Sequence, residues 1–529
     1  MKLLDGKVIR WQTSAVCIVM AALASNIKAD VGGNVCSNVT RCPDGRLSLA
    51  DGVSAGVYSI SFDLPKPHPK TVSIRLADAI IPEGDELSTN WPVLACDIIT
   101  QVRFLTKSGD WTEWMPRNIL HGGDMEDSNR DGIPDYVSVM RIRQNRETIF
   151  ADNQTSACMP PPTDFWNGKV QSKGRFVDTA DAPPGAKQSL RLVRGVSDGQ
   201  DTAAMRLDLV PPDTYLTVCG WTKCDIAGTS MGVMSRFHEF NESGDRVNKY
   251  VILGDDDLHQ PSGTSGWCWR ALTFQSLPDT THLNLYPIRM ITAQGRAWAA
   301  NFEIRLGTVF SEWGKGHVVF QEDFETLDRW EVSGAACLSG IASEGQRSLC
   351  LKPDPLQVVT ATLKKNIKVK PGKMYAFRIA MQNDVPAHYE PTHQAWMSAY
   401  LEFYNSKGEF LDYCKVMAFR PTLTRPVGAA MRAPRGAHNA RFVLVASHIS
   451  YGEKTGMNGP MHAYFDALQL EESTFDAEFT PRPKDEIALD VPPDAQRMEV
   501  RSFLLSRESH LRPSFKGYII GYSGHPTNH

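Results

Sequence analysis

One short stretch, "EDSNRDGIPDYV", spaces Asp127, Asn129, Asp131 and Asp135 around Gly132 as a calcium loop would. An EF-type loop supplies oxygens from alternate positions and closes its cage with a bidentate carboxylate. Counted from Asp127, the carbonyl of Ile133 and then Asp135 continue the series, but the closing position is Ser138, which cannot give two oxygens. Pro134 also interrupts the segment where a flanking helix is needed. A regulatory EF-hand is therefore not expected. Two readings stay open: a structural calcium held by Asp127, Asn129, Asp131 and Asp135, or a solvated acidic turn that opens a domain. The second is preferred.

Other chemistry is sparse. The chain has no GxSxG elbow, HExxH, P-loop or dinucleotide fingerprint. Asp255, Asp256 and Asp257 form a carboxylate run with His259 close behind. Glycosidase acids must face each other across a cleft, which neighbours on one loop seldom do. His388, Tyr389, His393 and Arg420 are the residue types of a polysaccharide lyase, with Tyr or His as base and Arg to neutralise a uronate. Their spacing does not require that role. The chain is expected to be non-catalytic.

The elements that must position these groups are strands. The 529 residues exceed one core, so two to four domains are expected. Forty glycines and 33 prolines suit many short strands joined by turns. The net charge of −4, with no long basic run, gives no footprint for nucleic acid or a polybasic membrane anchor. Lys2, Lys7 and Arg10 followed by the apolar run Ala15 to Ala24 read as a secretory leader spanning 1–29, cleaved after Ala24 or Ala29. The run is too short to span a bilayer. The mature chain is expected to be secreted or at the cell surface. Export permits disulfides. Cys36 and Cys42 flank a polar turn and could pair, and Cys337 and Cys350 bracket "LSGIASEGQRSL", which could fold back as a hairpin. Free buried thiols are the alternative. Cys219 and Cys224, if on one strand, stand about 16 Å apart, too far to bond.

Period-2 alternation marks an N-terminal β-sandwich over 30–117: Tyr58, Ile60, Phe62 and Leu64, then Val72, Ile74 and Leu76, then Val102 and Phe104. Residues 118–308 and 309–482 share one plan. "GAKQSLRL" at Gly185 to Leu192 corresponds to "GQRSLCL" at Gly345 to Leu351, and "PPDTYLTVCGW" at Pro211 to "KPGKMYAFRIA" at Lys370. Ser189 to Ser348 is an offset of 159 and Tyr215 to Tyr375 one of 160, which implies tandem domains. Residues 483–529 form a β tail with strands at Met498 to Leu505 and Gly517 to Tyr522 that either completes another domain's sheet or begins a truncated one. The fold class is all-β and multi-domain, with tandem antiparallel β-sandwich or jelly-roll modules.

Both modules resemble carbohydrate-binding modules of the family 4/9 type, within the galactose-binding-like jelly rolls. "NILHGGDME" with "DGIPDYV" matches the family's opening in the first copy, and "EDFETLDRW" at Glu322 to Trp330 in the second. "HAYFDALQLEE" at His462 to Glu472 matches its closing strand, whereas "GRAWAANFEIRL" has Ala300 and Asn301 where Asp is expected. The likeness covers residues 118–482 and fixes fold better than ligand. It implies a structural calcium site from Asp323 or Glu325 with Asp466.

Sugar binding needs flat aromatics to pack on a pyranose face, with carboxylates, amides or Arg for the hydroxyls. Trp166, Trp267 and Trp269 in the first copy, and Tyr389 and Trp396 in the second, stand in loop-like contexts. Trp267 and Trp269 share a strand face, so core packing competes with binding. Trp221 and Trp298 lie within strands and read as core. The expected function is exported, non-catalytic polysaccharide binding. A structural or adhesive surface protein without sugar binding, or a lyase or hydrolase fragment, are the rivals.

Overall fold

The computed structural model describes residues 18–19, 35–82, 96–112, 114–115, 118–128, 130, 134, 136–142, 148–151, 176–194, 200–227, 233–254, 259, 263–291, 294–386, 395–448, 460–475, 477–479, 482, 486–507 and 510–523. Every element among the described residues is a strand, and the paired strands run antiparallel: the protein is all-β. The chain divides into two compact units.

The first unit combines residues 1–83, 95–115 and 483–529. Its largest register runs through the tail: Ala495–Ser506 pairs with Ala55–Asp63 on one side and with Cys96–Thr106 on the other. Gly517–Ser523 pairs with Thr71–Ala77 and carries Ile18–Val19 on its far edge. The alternating residues meet as the period-2 rule requires. Val72, Ile74, Val102 and Phe104 are buried with Met498, Val500, Leu504, Phe515 and Ile520, while Tyr58, Ile60 and Phe62 pack at the margin. The tail therefore supplies core to residues that lie some 400 positions earlier, as in the bond from Arg103 Nε to Glu499 at 2.6 Å.

The second unit spans 84–94 and 116–482. Its first sheet, among the described residues, runs Val177–Asp178, Ser189–Arg194, Gln294–Leu306, Tyr215–Ala227, Cys268–Gln275, Val427–Arg432, Met374–Asn383, Ala463–Glu472, Ser348–Leu351, Ala336–Ser339. The second runs Trp330–Ser333, Gln357–Leu363, Asn439–His448, Ala395–Tyr404, Phe410–Ala418, Arg246–Leu253, Val233–Asn241, Thr280–Ile291, Gln200–Leu207, Ser138–Ile142, Thr148–Ala151. Each sheet is continuous from the 118–308 half into the 309–482 half.

The seam has a local two-fold. Tyr215 faces Gln275 and Tyr375 faces Met431, so Gln275 and Met431 hold corresponding places. By the same count Leu272 and Thr273 correspond to Gly428 and Ala429. These are the residues that pair across the seam, Leu272 with Ala429 and Thr273 with Gly428. In the other sheet Tyr250 pairs with Ala418 and Val251 with Met417. Gly428 is required there, because a Cβ would lie 2.2 Å from the Phe377 carbonyl oxygen and 2.5 Å from the Phe310 ring.

Local geometry also matches between the halves. Each closing strand bulges opposite the register shift at Cys219/Trp221 or at Arg378/Ala380, with Asn301 (φ 49°) and Ala467 (φ 50°) left-handed. Asn tolerates that conformation; Ala does so only where packing holds it.

After each closing strand the chain crosses to the other half. Val309, Phe310, Met374, Ala376, Ala430 and Ala477 share one buried cluster with Cys219, Trp269 and Ala271, in which Phe310 meets Tyr215 and Phe475 meets Trp269. Glu471 accepts the Ser311 N–H at 3.0 Å and Gln469 the Gly314 N–H at 2.7 Å. Arg305, paired with Glu303 at 2.7 Å, donates to the Glu478 carbonyl. The two arms interleave the halves.

One buried acid stands out in the core. Glu239 accepts bonds from Leu277 N–H (2.8 Å) and the Thr280 hydroxyl on Oε1, and its Oε2 has no partner. Burial, only partly offset by those donors, pushes its carboxyl up to about 7. A raised folded-state value means stability present below the unfolded value and lost as pH rises through 7. Glu239→Gln is expected to abolish this loss, gaining roughly 3 kcal/mol at pH 8 relative to the parent. Urea unfolding at pH 5 and pH 8 measures it, and equal pH dependence in both proteins would refute it.

Candidate functional site

On Ala395–Tyr404 the odd positions Met397, Ala399, Leu401 and Phe403 fill the core. Alternation sends Trp396, Ser398, Tyr400, Glu402 and Tyr404 to the opposite face of the second sheet. Register places Arg441 beside Glu402 on one neighbour and Tyr413 on the other.

Glu402 is the centre, with its side chain 4% exposed. His259 Nε2 lies 2.6 Å from Oε1; Arg441 donates to Oε2 at 3.0 Å and the Tyr404 hydroxyl donates to the same oxygen. Burial works to raise the Glu402 carboxyl, but the His259, Tyr404 and Arg441 bonds outweigh it and hold it below its ordinary range. The site thus keeps a carboxylate. Burial and that carboxylate together push the Tyr404 phenol well above its usual value, so it is poorly suited to serve as a base.

Above the carboxylate lies an aromatic platform. Phe410 is 45% exposed, and its ring stacks on His259 at 4.8 Å with 11° between planes. His259 in turn stacks on Tyr413 at 5.1 Å. Tyr413 fixes the segment by donating to the His259 carbonyl at 2.9 Å while accepting the Gly254 N–H at 3.2 Å. The Arg441 side chain is 35% exposed at the rim. His259 comes from the first half and every other member from the second, so the seam assembles the site.

The residues expected from sequence are dispersed. Trp166, Tyr389, His388 and His393 lie outside the described residues, as do Asp255, Asp256 and Asp257. Trp269 is 2% exposed, beneath Phe475 at 5.7 Å, and offers no face to a sugar. Its loop-like sequence context proves to be the first residues of a central strand. Trp396 shares the Glu402 face but is 3% exposed. Trp267 is half-buried, its indole N–H bonded to Asp181 at 3.0 Å beside Lys223, in a separate cluster. Trp298 is buried, with its N–H on Asp178 at 3.0 Å. Arg420 is tied through its backbone to Asn248.

The calcium ligands fare similarly. Asn129, Asp131 and Asp135 lie outside the described residues, and Asp127 accepts the Arg130 N–H through its carbonyl. Asp466 is buried, yet its oxygens accept N–H groups from Ser343 (2.6 Å), Glu344 (2.9 Å) and Ala467 (2.7 Å). Glu325 accepts from Gln346 and Arg347, and Asp323 from Glu325. N–H donors occupy the oxygens that a cation would need, so this arrangement does not fit calcium. Among the described residues no group of three or more His, Cys, Asp or Glu is placed to hold a metal.

No family model matches the chain, and no curated protein matches it. Among solved structures it is similar to the tandem CBM22-1–CBM22-2 domain of Paenibacillus barcinonensis Xyn10C, at 18% identity over 57% of this chain and 90% of that one, with a TM-score of 0.23. It is also similar to a family 16 carbohydrate-binding module, at 13% identity over 29% and 99%, TM-score 0.21. A third is TmCBM61 in complex with β-1,4-galactotriose, at 13% identity over 28% and 92%, TM-score 0.20. Likenesses this weak carry no argument about ligand.

Proposed function

We propose that this protein is an exported, non-catalytic polysaccharide-binding protein, and that the Phe410–His259–Glu402–Arg441 site is where it holds a sugar. The observation that carries this reading is the exposed Phe410 ring beside a hydrogen-bonding carboxylate, guanidinium and phenol. A pyranose has one flat C–H face and a rim of hydroxyls, and needs both kinds of contact. Glu402 holds His259, Tyr404 and Arg441 in place, and Arg441, 35% exposed at the rim, donates to the hydroxyls.

Within this reading the two halves are a tandem pair of jelly rolls of the family 4/9 type. The matched bulges and the palindromic strand order support duplication. Export would proceed through the leader ending at Ala24 or Ala29, whose removal takes Ile18–Val19 from the edge of Gly517–Ser523. No helix among the described residues is long and apolar enough to cross a membrane.

The test is retention of the full chain on a panel of insoluble polysaccharides, with released reducing ends measured in parallel. Retention without new ends is expected. Depolymerisation would favour a lyase or hydrolase, and absence of retention by folded protein would favour an architectural role.

A further inference from the structure

Cys337 on Ala336–Ser339 and Cys350 on Ser348–Leu351 are direct register partners in the outermost antiparallel pair of the first sheet. Directly opposed residues project from the same face. The Lys352 N–H donates to the Ala335 carbonyl at 2.9 Å, two residues along, which makes 337/350 a hydrogen-bonded pair as well. Such a pair has its Cα atoms about 5.5 Å apart. A disulfide spans Cα separations of about 4.4–6.8 Å. Other described cysteines are placed differently: Cys36 donates to the Val39 carbonyl, and Cys219 and Cys224 point to opposite faces of Tyr215–Ala227.

The pair is also asymmetric. Cys337 is half-exposed and Cys350 buried. Lys352 stands two residues beyond Cys350 and so lies on the same face as the pair. Burial pushes the Cys350 thiol up to about 12, so it does not initiate attack.

We propose that Cys337 and Cys350 are joined in a cross-strand disulfide, formed by attack of Cys337 on an external disulfide oxidant. The Cys337 thiolate attacks one sulfur of the oxidant, forming a mixed disulfide and expelling one thiolate. Cys350 then loses its proton, attacks the Cys337 sulfur and expels the second thiolate. Two protein thiols are oxidised by two electrons, and the oxidant is reduced to two thiols. The bond closes the 340–347 loop from its open side. The other side is already held by Asp466 on Ser343 and Glu344, and by Glu325 on Gln346 and Arg347. This staple is independent of what the Glu402 site binds.

The experiment treats the full reduced chain with glutathione disulfide, blocks remaining thiols by alkylation and maps tryptic peptides. Trypsin cuts after Arg347 and so separates the two cysteines. The expected product is a linked pair of peptides lacking two hydrogens and carrying no glutathione. Cys350→Ala should stop at a glutathione adduct on Cys337, and Cys337→Ser should leave Cys350 unmodified, with a normal melting curve showing that each variant is folded. Alkylation of both cysteines in the oxidised parent, or a stable glutathione adduct on Cys337 in the parent, would overturn the assignment.

Discussion

Asp412→Ala is expected to destabilise the second unit by about 3 kcal/mol. Asp412 of the second half accepts from Arg270 of the first at 2.6 Å, and the guanidinium also reaches the Tyr413 carbonyl and the Thr222 hydroxyl at 3.3 Å each. The Arg270 side chain is buried and Asp412 partly so. Burial alone would lower the Arg270 value, but Asp412 outweighs it and holds the cation above its ordinary range. Removing the carboxylate strands a buried charge, which costs more than the pair contributes. Thr222 and the Tyr413 carbonyl keep the cost toward the lower end of the usual range. Adding Arg270→Met to Asp412→Ala is expected to recover much of the loss, because no unpaired charge remains. Urea unfolding of the parent, both single variants and the double variant gives the coupling. A loss under about 1 kcal/mol for the single change would mean that the pair is solvated.

Expressed separately, residues 118–308 and 309–482 are expected to lack a cooperative unfolding transition. Each half alone would expose two unpaired strand edges, Arg246–Leu253 with Cys268–Gln275 or Phe410–Ala418 with Val427–Arg432. The split would also strip contacts made across the seam. Phe475 and Ala477 would no longer cover Trp269, Phe310 would lose its edge contact with Tyr215, and the Val309 N–H would lose the Thr273 hydroxyl. Removing a single buried phenylalanine costs about 3–5 kcal/mol, and splitting removes several such contacts at once. Residues 118–482 expressed as one chain should unfold in a single transition. Circular dichroism melts of the three proteins decide it. A half that melts cooperatively near the temperature of the joined chain would show that the seam is only a docking contact.

The sequence made the strands legible because their information is local. Alternation at Val72, Ile74, Val102 and Phe104 survives as burial, and the offset between Tyr215 and Tyr375 survives as matched register. The site was not legible, because its members meet only through long-range pairing. His259 and Glu402 are 143 residues apart, and no short-range pattern announces that the seam joins corresponding strands. A signal was present in "AWMSAYLEFY", where polar and aromatic residues at 396, 398, 400, 402 and 404 alternate with apolar ones. That pattern marks a strand whose second face is polar and aromatic, whereas tryptophans in loop-like contexts are a weaker guide. Trp269 shows why that guide failed: two tryptophans on either side of Cys268 look like a binding loop, but the second is roofed by a chain segment two hundred residues away. The calcium ligands meet a related limit: Asn129, Asp131 and Asp135 lie outside the described residues. Acid spacing reports carboxylates, not the N–H groups that the fold aims at Asp466 and Glu325.

The most direct test of the seam site is a binding isotherm for Phe410→Ala against the parent, on a glycan that the parent retains. Phe410 is 45% exposed and its contacts are with His259, Tyr404 and Tyr413 at the site, so the variant should still melt cooperatively, with only a small shift. Loss of one aromatic stacking contact predicts affinity weaker by about tenfold. Equal affinity in parent and variant would place the sugar elsewhere and contradict the assignment of this site.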